Sequence, residues 1–266
     1  RCLHVEPDAL AELRRLCETV RDDFTAQWNA ALAALAPGVP PSRDAFAESG
    51  DVLLLNYPAE LHPAERTAAL PPHAFLGSAV RAEPPDPEVV QWLAVEDRPL
   101  VYVSLGSFLS VRSDVLARVS EALRGLDVRV ALANGSAPRE ELGPVPDSWL
   151  VREVLPQVTL LRHAALAVTH GGNNSVTEAL TAGVPLLVLP LSTDQFASAA
   201  ALEDAGLGEA LDPNFAMPQE LRDAVARLLD LPSRSRDRLD RLRDSLVRSP
   251  GTGRARDALR APHSTT

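Results

Sequence analysis

The chain has 266 residues, 45% of them hydrophobic, and a formal net charge of -10. That length accommodates one large domain or two modest ones around a sizeable core. The negative charge argues against nucleic-acid or anionic-membrane binding, which needs clustered positive charge. No apolar run approaches the ~18 residues of a membrane helix.

The chain begins at Arg1 rather than Met, which predicts a piece of a longer protein, and no charged-then-apolar signal segment opens it. Its two cysteines, Cys2 and Cys17, are too few for a disulfide framework and read as reduced thiols of a cytoplasmic protein. All 26 basic residues are Arg and Ile is absent, the codon bias of a GC-rich bacterial gene.

Leu10, Leu13, Leu16, Val20, Phe24, Trp28, Leu32 and Leu35 recur at helical spacing and predict one amphipathic helix from Pro7 to Ala36. The cluster Pro37-Gly38-Val39-Pro40-Pro41 ends it. DVLLLNY, Asp51 to Tyr57, reads as a short buried strand, and the Pro-rich stretch from Pro58 to Pro87 reads as a linker or a surface-hugging connection rather than a core. From Pro99 the pattern changes. PLVYVSLGS, DVRVALANG, WLVREVL, ALAVTHGG and PLLVLP are apolar strand candidates. Helical stretches stand among them and after them at Ser113–Leu126, Gln157–His163, Ser175–Ala182, Asp194–Ala205 and Gln219–Asp230. Apolar strands alternating with helices predict an α/β fold, a Rossmann-like parallel sheet with helices on both faces. Beyond Asp230 the chain is Arg/Asp-rich and helical in pattern, and APHSTT closes it as a frayed end.

A sheet of this class binds ligands beyond the C-terminal ends of its strands. The turn GGNNS follows the strand ALAVTH and precedes a helix closing on Gly183, so it lies at that edge. Glycines let the backbone approach a ligand, and the helix start is an anion site. Asn174 and Ser175 add neutral donors and His170 an imidazole, which suits a diphosphate. The Lys-bearing phosphate loop GxxxxGK[ST] is absent. A blander reading stands beside this one. Ser175 and Glu178 have the spacing of a capping box, Asp194 suits an N-cap, and His170 suits a packed strand end. An HGG turn also occurs in lipase-like hydrolases, but the sequence lacks their G-x-S-x-G elbow. Three further strand ends carry small polar groups as well: Ser104-Leu105-Gly106-Ser107, Leu155-Pro156-Gln157 and Asp194-Gln195.

The run REVLPQVTLLRHAALAVTHGGNNSVTEALTAGVPLLVLPLSTDQFASAAALEDAGLG resembles the donor-binding signature of the UDP-glycosyltransferase family, inverting GT-B enzymes that glycosylate natural products. PLVYVSLGS and GDVLLLNYPAELHP resemble the same family, so the likeness runs from about Asp51 to about Gly208. It implies the C-terminal, donor-binding domain of a GT-B fold. It implies that Ser107 contacts a phosphate, and that Gln157 and the backbone around Val154 and Leu155 meet the base and ribose. His170, Gly172, Asn174 and Ser175 would hold the diphosphate, Glu178 the ribose hydroxyls, and Asp194 and Gln195 the sugar hydroxyls. Carboxylates and amides suit vicinal hydroxyls, while N–H donors suit phosphates. Many members carry an aromatic residue where this chain has Val154, which weakens stacking on the base. The implied donor is a UDP-sugar, with a dTDP-sugar as the other candidate. No metal site is expected, and the nucleotide sugar serves as co-substrate rather than cofactor.

The family's catalytic base is a His near the protein's start, after a Gly-rich strand end. His4, His62 and His73 lack that setting, so no catalytic residue is expected in this chain. By the resemblance, residues 1–78 are the tail of an N-terminal domain plus a linker, 79–250 the donor domain and 251–266 a C-terminal tail. The expected partners are the nucleotide sugar, a small-molecule acceptor and the missing N-terminal domain. Two other functions share these residues: a non-catalytic sugar-nucleotide-binding accessory module, and a GT-B nucleotide-sugar epimerase. The epimerase needs acid/base carboxylates in the cleft, and the Asp194-Gln195 pair fits transferases better.

Overall fold

A computed structural model describes residues 7–47, 50–95, 98–106 and 111–260. The described residues fall into two compact units that meet in sequence at Leu53 and Leu54.

The first unit is built on α1 (Pro7–Leu35). The loop after it folds back along the helix. Asn29 donates to the Ser42 carbonyl and accepts from its N–H, at 2.9 and 2.8 Å. The Ala45 N–H donates to Thr25 Oγ1, and Phe46 stacks on Phe24 at 4.6 Å between ring centroids. The expected apolar stripe is present on α1 but bare, with Leu10, Leu13, Leu16, Val20, Phe24 and Trp28 all exposed.

The boundary between the units runs through DVLLLNY, which departs from its expected place. Only β1 (Leu53–Leu55) forms, it is half-buried, and it pairs with β2 (His73–Phe75) in a separate two-stranded sheet. The Pro-rich stretch holds regular elements as well as connection. It carries β2 and the one-turn α2 (Ala64–Thr67), and Pro87 opens α3 (Pro87–Leu93), which Asp86 caps by accepting from the Val89 N–H at 3.2 Å.

The main sheet has β3 (Leu100–Ser104), β4 (Arg129–Ala133), β5 (Leu150–Arg152), β6 (Ala164–Thr169), β7 (Leu186–Val188) and β8 (Gly208–Ala210), in the order β5-β4-β3-β6-β7-β8. Every pair is parallel. This is the doubly wound Rossmann order, as expected. The sixth strand, β8, was not expected: Gly-Glu-Ala at the edge offers no apolar run to read.

β3 is buried throughout, and its alternation divides the core. Val101, Val103 and Leu105 face α4 (Ser113–Arg124) and α8 (Pro218–Leu229), through Val115, Val119, Leu221 and Val225. Leu100 and Tyr102 face the other layer, formed by α5 (Gln157–Leu161), α6 (Asn173–Ala182), α7 (Asp194–Ala205) and α9 (Ser233–Arg248), through Leu160, Leu180, Leu202 and Leu239. Apolar side chains on both faces are what bury a parallel sheet in this way. The last helix, α10 (Gly251–Arg260), begins against the linker, where the Gly251 N–H donates to the Ser78 carbonyl at 2.8 Å.

α6 starts two residues earlier than expected, at Asn173, with Gly172 at the N-cap and no capping side chain. Ser175 and Glu178 therefore lie inside the helix, and the capping-box reading fails. The far end behaves as read: Gly183 closes α6 in the left-handed conformation, φ 75°. No helix among the described residues is long and apolar enough to cross a membrane.

Candidate functional site

After β3 the chain turns to build the β4–β5 side of the sheet, and after β6 it builds the β7–β8 side. The crevice between β3 and β6 is thus the topological switch point, where such sheets bind ligands. Ser104 and Thr169 are register partners at the ends of these strands, so Gly106 and His170 emerge side by side. The His170 ring lies between two glycines. A Cβ on Gly106 would stand 2.9 Å from its Cε1, and one on Gly172 would overlap its Nε2. Gly171, at φ 89°, lets the backbone turn beneath it, and a Cβ there would meet Val188 Cγ1 at 2.6 Å.

Thr169 Oγ1 lies 3.3 Å from His170 Nδ1 and accepts from the Gly171 N–H at 3.4 Å. Burial holds the His170 pKa below its ordinary value, against a smaller upward pull from the Asp194 carboxylate. The imidazole is therefore neutral at pH 7. With no side chain capping α6, its first N–H groups and the positive end of its dipole point into the crevice. Asn173 does not serve as the cap either: its Nδ2 donates to the Asn56 carbonyl at 2.9 Å and ties the turn to the linker.

Glu178 is buried one turn further along α6. Its Oε2 accepts from Gln157 Nε2 at 2.5 Å, and its Oε1 from Arg81 Nη1 at 3.1 Å. Gln157 Nε2 also reaches Ser175 Oγ at 3.5 Å, and Tyr102 Oη donates to Gln157 Oε1 at 3.3 Å. Burial pushes the Tyr102 phenol well above its ordinary pKa, so it remains a donor. Val154 is 73% exposed just before Gln157, while Leu155 is buried in the core.

Asp194 and Gln195 open α7 beyond β7. The Gln195 side chain is already engaged: the Leu191 and Ser192 N–H groups donate to its Oε1 at 2.8 and 3.0 Å, and its Nε2 donates to Ser192 Oγ at 3.2 Å. The loop it braces holds Thr193 at φ 49°, a conformation β-branched residues rarely adopt, and Thr193 Oγ1 donates to Asp194 Oδ1 at 2.8 Å. Asp194 itself is exposed.

The structure thus brings Gln157, Ser175 and Glu178 into one hydrogen-bonded group. It places His170, Gly172 and the start of α6, with Asn174, beside that group, and Asp194 close enough to act on His170. Ser107 lies outside the described residues. The sequence reading missed Asn56, Arg81, Glu83 and Tyr102. The signal was slight: an Arg-Ala-Glu charge pair in a Pro-rich stretch, and one Tyr in an apolar strand.

The family description "UDP-glucoronosyl and UDP-glucosyl transferase" matches residues 20–242. The chain belongs to this family. Its parallel sheet flanked by helices is the architecture it shares with solved GT-B glycosyltransferases. A demethyllactenocin mycarosyltransferase from Streptomyces fradiae is 34% identical to it over 170 residues, 63% of this chain and 37% of that protein. The crystal structure of the glycotransferase of kitacinnamycin matches with a TM-score of 0.75 and 25% identity, over 95% of this chain and 66% of that one. Glycosyltransferase VinC in complex with dTDP matches with a TM-score of 0.55 and 26% identity, over 70% of this chain and 45% of that one. The chain therefore spans about two thirds or less of the length of these family members.

Proposed function

We propose that this chain is the donor-binding portion of an inverting glycosyltransferase that moves a hexose from a nucleotide-diphosphate sugar to a hydroxyl of a small-molecule natural product. The observation that carries the reading is the uncapped start of α6 beside a neutral His170 at the β3–β6 switch point, with a buried carboxylate, Glu178, one turn on. Helix N–H groups and an imidazole suit the diphosphate; Glu178 and Gln157 suit ribose hydroxyls and base. Val154 gives the base an apolar surface. Asp194 reads sugar hydroxyls, and Gln195 holds the loop that presents them. Ser107 is kept as a phosphate contact on the resemblance alone.

In the reaction, the acceptor oxygen bonds to the anomeric carbon from the face opposite the diphosphate. The bond from that carbon to the diphosphate oxygen breaks, and the configuration inverts. The proton lost by the acceptor goes to a base supplied by a preceding domain. Charge growing on the departing diphosphate falls on the α6 N–H groups and His170. The bare apolar stripe of α1 supports the existence of that further domain. Alone, the chain binds nucleotide and does not transfer sugar, in the cytoplasm. A UDP-sugar is favoured, because Glu178 suits a ribose with both hydroxyls. The dTDP bound to VinC supports a dTDP-sugar as the second candidate.

The test is a backbone-amide NMR titration with UDP. Shifts confined to Gly106, Gly171, Gly172, Asn174 and Ser175 support the site. Shifts elsewhere, with these amides silent, refute it.

A further inference from the structure

Arg81 lies outside the donor signature, 97 residues from Glu178, yet donates to it at 3.1 Å. It is held from its other side too: Nη2 donates to Glu83 Oε1 at 3.0 Å. Glu83 is in turn fixed to the start of α5, where Oε2 accepts from the Thr159 N–H at 2.9 Å and from its hydroxyl at 3.2 Å. Burial alone would raise the Glu83 pKa, but the donors from Thr159, Val158 and Arg81 outweigh it and hold the carboxyl below its ordinary range. A ladder thus runs from α5 through Glu83 and Arg81 to Glu178, and returns to α5 through Gln157. Both Glu178 oxygens are held, one by Arg81 and one by Gln157. A carboxylate has about four acceptor positions, so each oxygen keeps one free, and the two donors fix the plane in which those free positions lie. With Gln157 alone the carboxylate has a single pivot.

We propose that Arg81 is a positioning residue that aims the Glu178 carboxylate, and thereby sets how strongly the site separates a ribonucleoside diphosphate from its 2′-deoxy counterpart. This rests on the reading above that Glu178 meets ribose hydroxyls. The Arg81 side chain is 55% exposed, so its Coulomb attraction is screened and its contribution is geometric. Its planar fork donates to two carboxylates from two nitrogens in a fixed geometry; the Lys ammonium offers three donors from one nitrogen without that fixed plane.

The experiment is calorimetric binding of UDP and 2′-deoxy-UDP, which share a base, to the whole chain and to Arg81→Ala, Arg81→Lys, Glu83→Gln and Glu178→Ala, each checked for an unchanged far-UV spectrum. One charge-assisted hydrogen bond gives the unsubstituted chain a preference for UDP of about tenfold or more. Arg81→Ala reduces that preference roughly threefold by weakening UDP and sparing 2′-deoxy-UDP. Arg81→Lys and Glu83→Gln fall between. A preference that survives Arg81→Ala but collapses in Glu178→Ala overturns the positioning role and keeps the ribose reading. A preference that survives Glu178→Ala, or the absence of UDP binding, overturns both.

Discussion

Replacing Gly172 by Ala probes how tightly the turn before α6 is built. Gly172 sits at φ −61° and ψ 142°, which any residue adopts, so the backbone accepts the methyl. What the methyl meets is His170: Nε2 first, then Cε1 at 2.9 Å and Cδ2 at 3.3 Å. The ring also lies close to Gly106, where an added Cβ would stand 2.9 Å from Cε1. Overpacking of this kind costs roughly 1–3 kcal/mol. In a unit of this size each kcal/mol lowers Tm by about 2–4 °C. Gly172→Ala should therefore unfold about 2–12 °C lower in thermal circular dichroism, by those two scales together. The cause is isolated by a double-mutant cycle. In a His170→Ala background the methyl has space, and the added cost of Gly172→Ala should fall close to zero. UDP affinity should drop at least about tenfold in Gly172→Ala, because the imidazole no longer reaches the phosphates. A variant as stable as the parent, or a cost that is equal with and without His170, refutes the packing argument.

Four further outcomes follow from the same geometry. His170 has a lowered pKa when free, and a bound diphosphate favours the imidazolium, so binding should take up protons and affinity should rise as pH falls through the His range. UDP-glucose, whose phosphates lack a weakly acidic proton, is the probe; calorimetry in two buffers of different ionisation heat near pH 6 reads the uptake, and His170→Gln should abolish it. The free protein shows the linked effect. Its folded-state pKa lies below the unfolded value, so the folded state binds fewer protons, and stability is lost as pH drops below about 6.5. Asn173→Ala removes the bond to the Asn56 carbonyl and should lower stability by about 1 kcal/mol in denaturant titration. Gly183→Ala forces a Cβ into φ 75°, where it meets Arg243 Cδ at 3.0 Å, and should lower stability by about 1 kcal/mol or more, read the same way.

Most of the sheet was legible because parallel strands buried on both faces must be apolar runs, as LVYVS and AALAVT are. β8 was not legible, since an edge strand of Gly-Glu-Ala needs no such run. β1 was read as more than it is. LLL looks like core, but its partner is HAF, hidden in a Pro-rich stretch. The start of α6 was misplaced because Asn173 and Asn174 are weak helix formers that read as turn residues, although both are helical. The strand-end groups were legible because they are local. Arg81 was not, because its contact with Glu178 crosses 97 residues and depends on the linker lying against α6, where Ser78 Oγ donates to the Thr177 carbonyl at 3.3 Å.

The central claim is that the switch-point crevice is a nucleotide-diphosphate site in which His170 meets the phosphates and Glu178 the ribose. Calorimetric titration of UDP into the chain, with His170→Ala and Glu178→Ala beside it, tests that claim most directly. A few charge-assisted hydrogen bonds less the cost of association predict a Kd of roughly 10 µM to 1 mM, with affinity about tenfold or more weaker in each variant. Absence of UDP binding by the folded chain, or equal affinity in all three proteins, would contradict it.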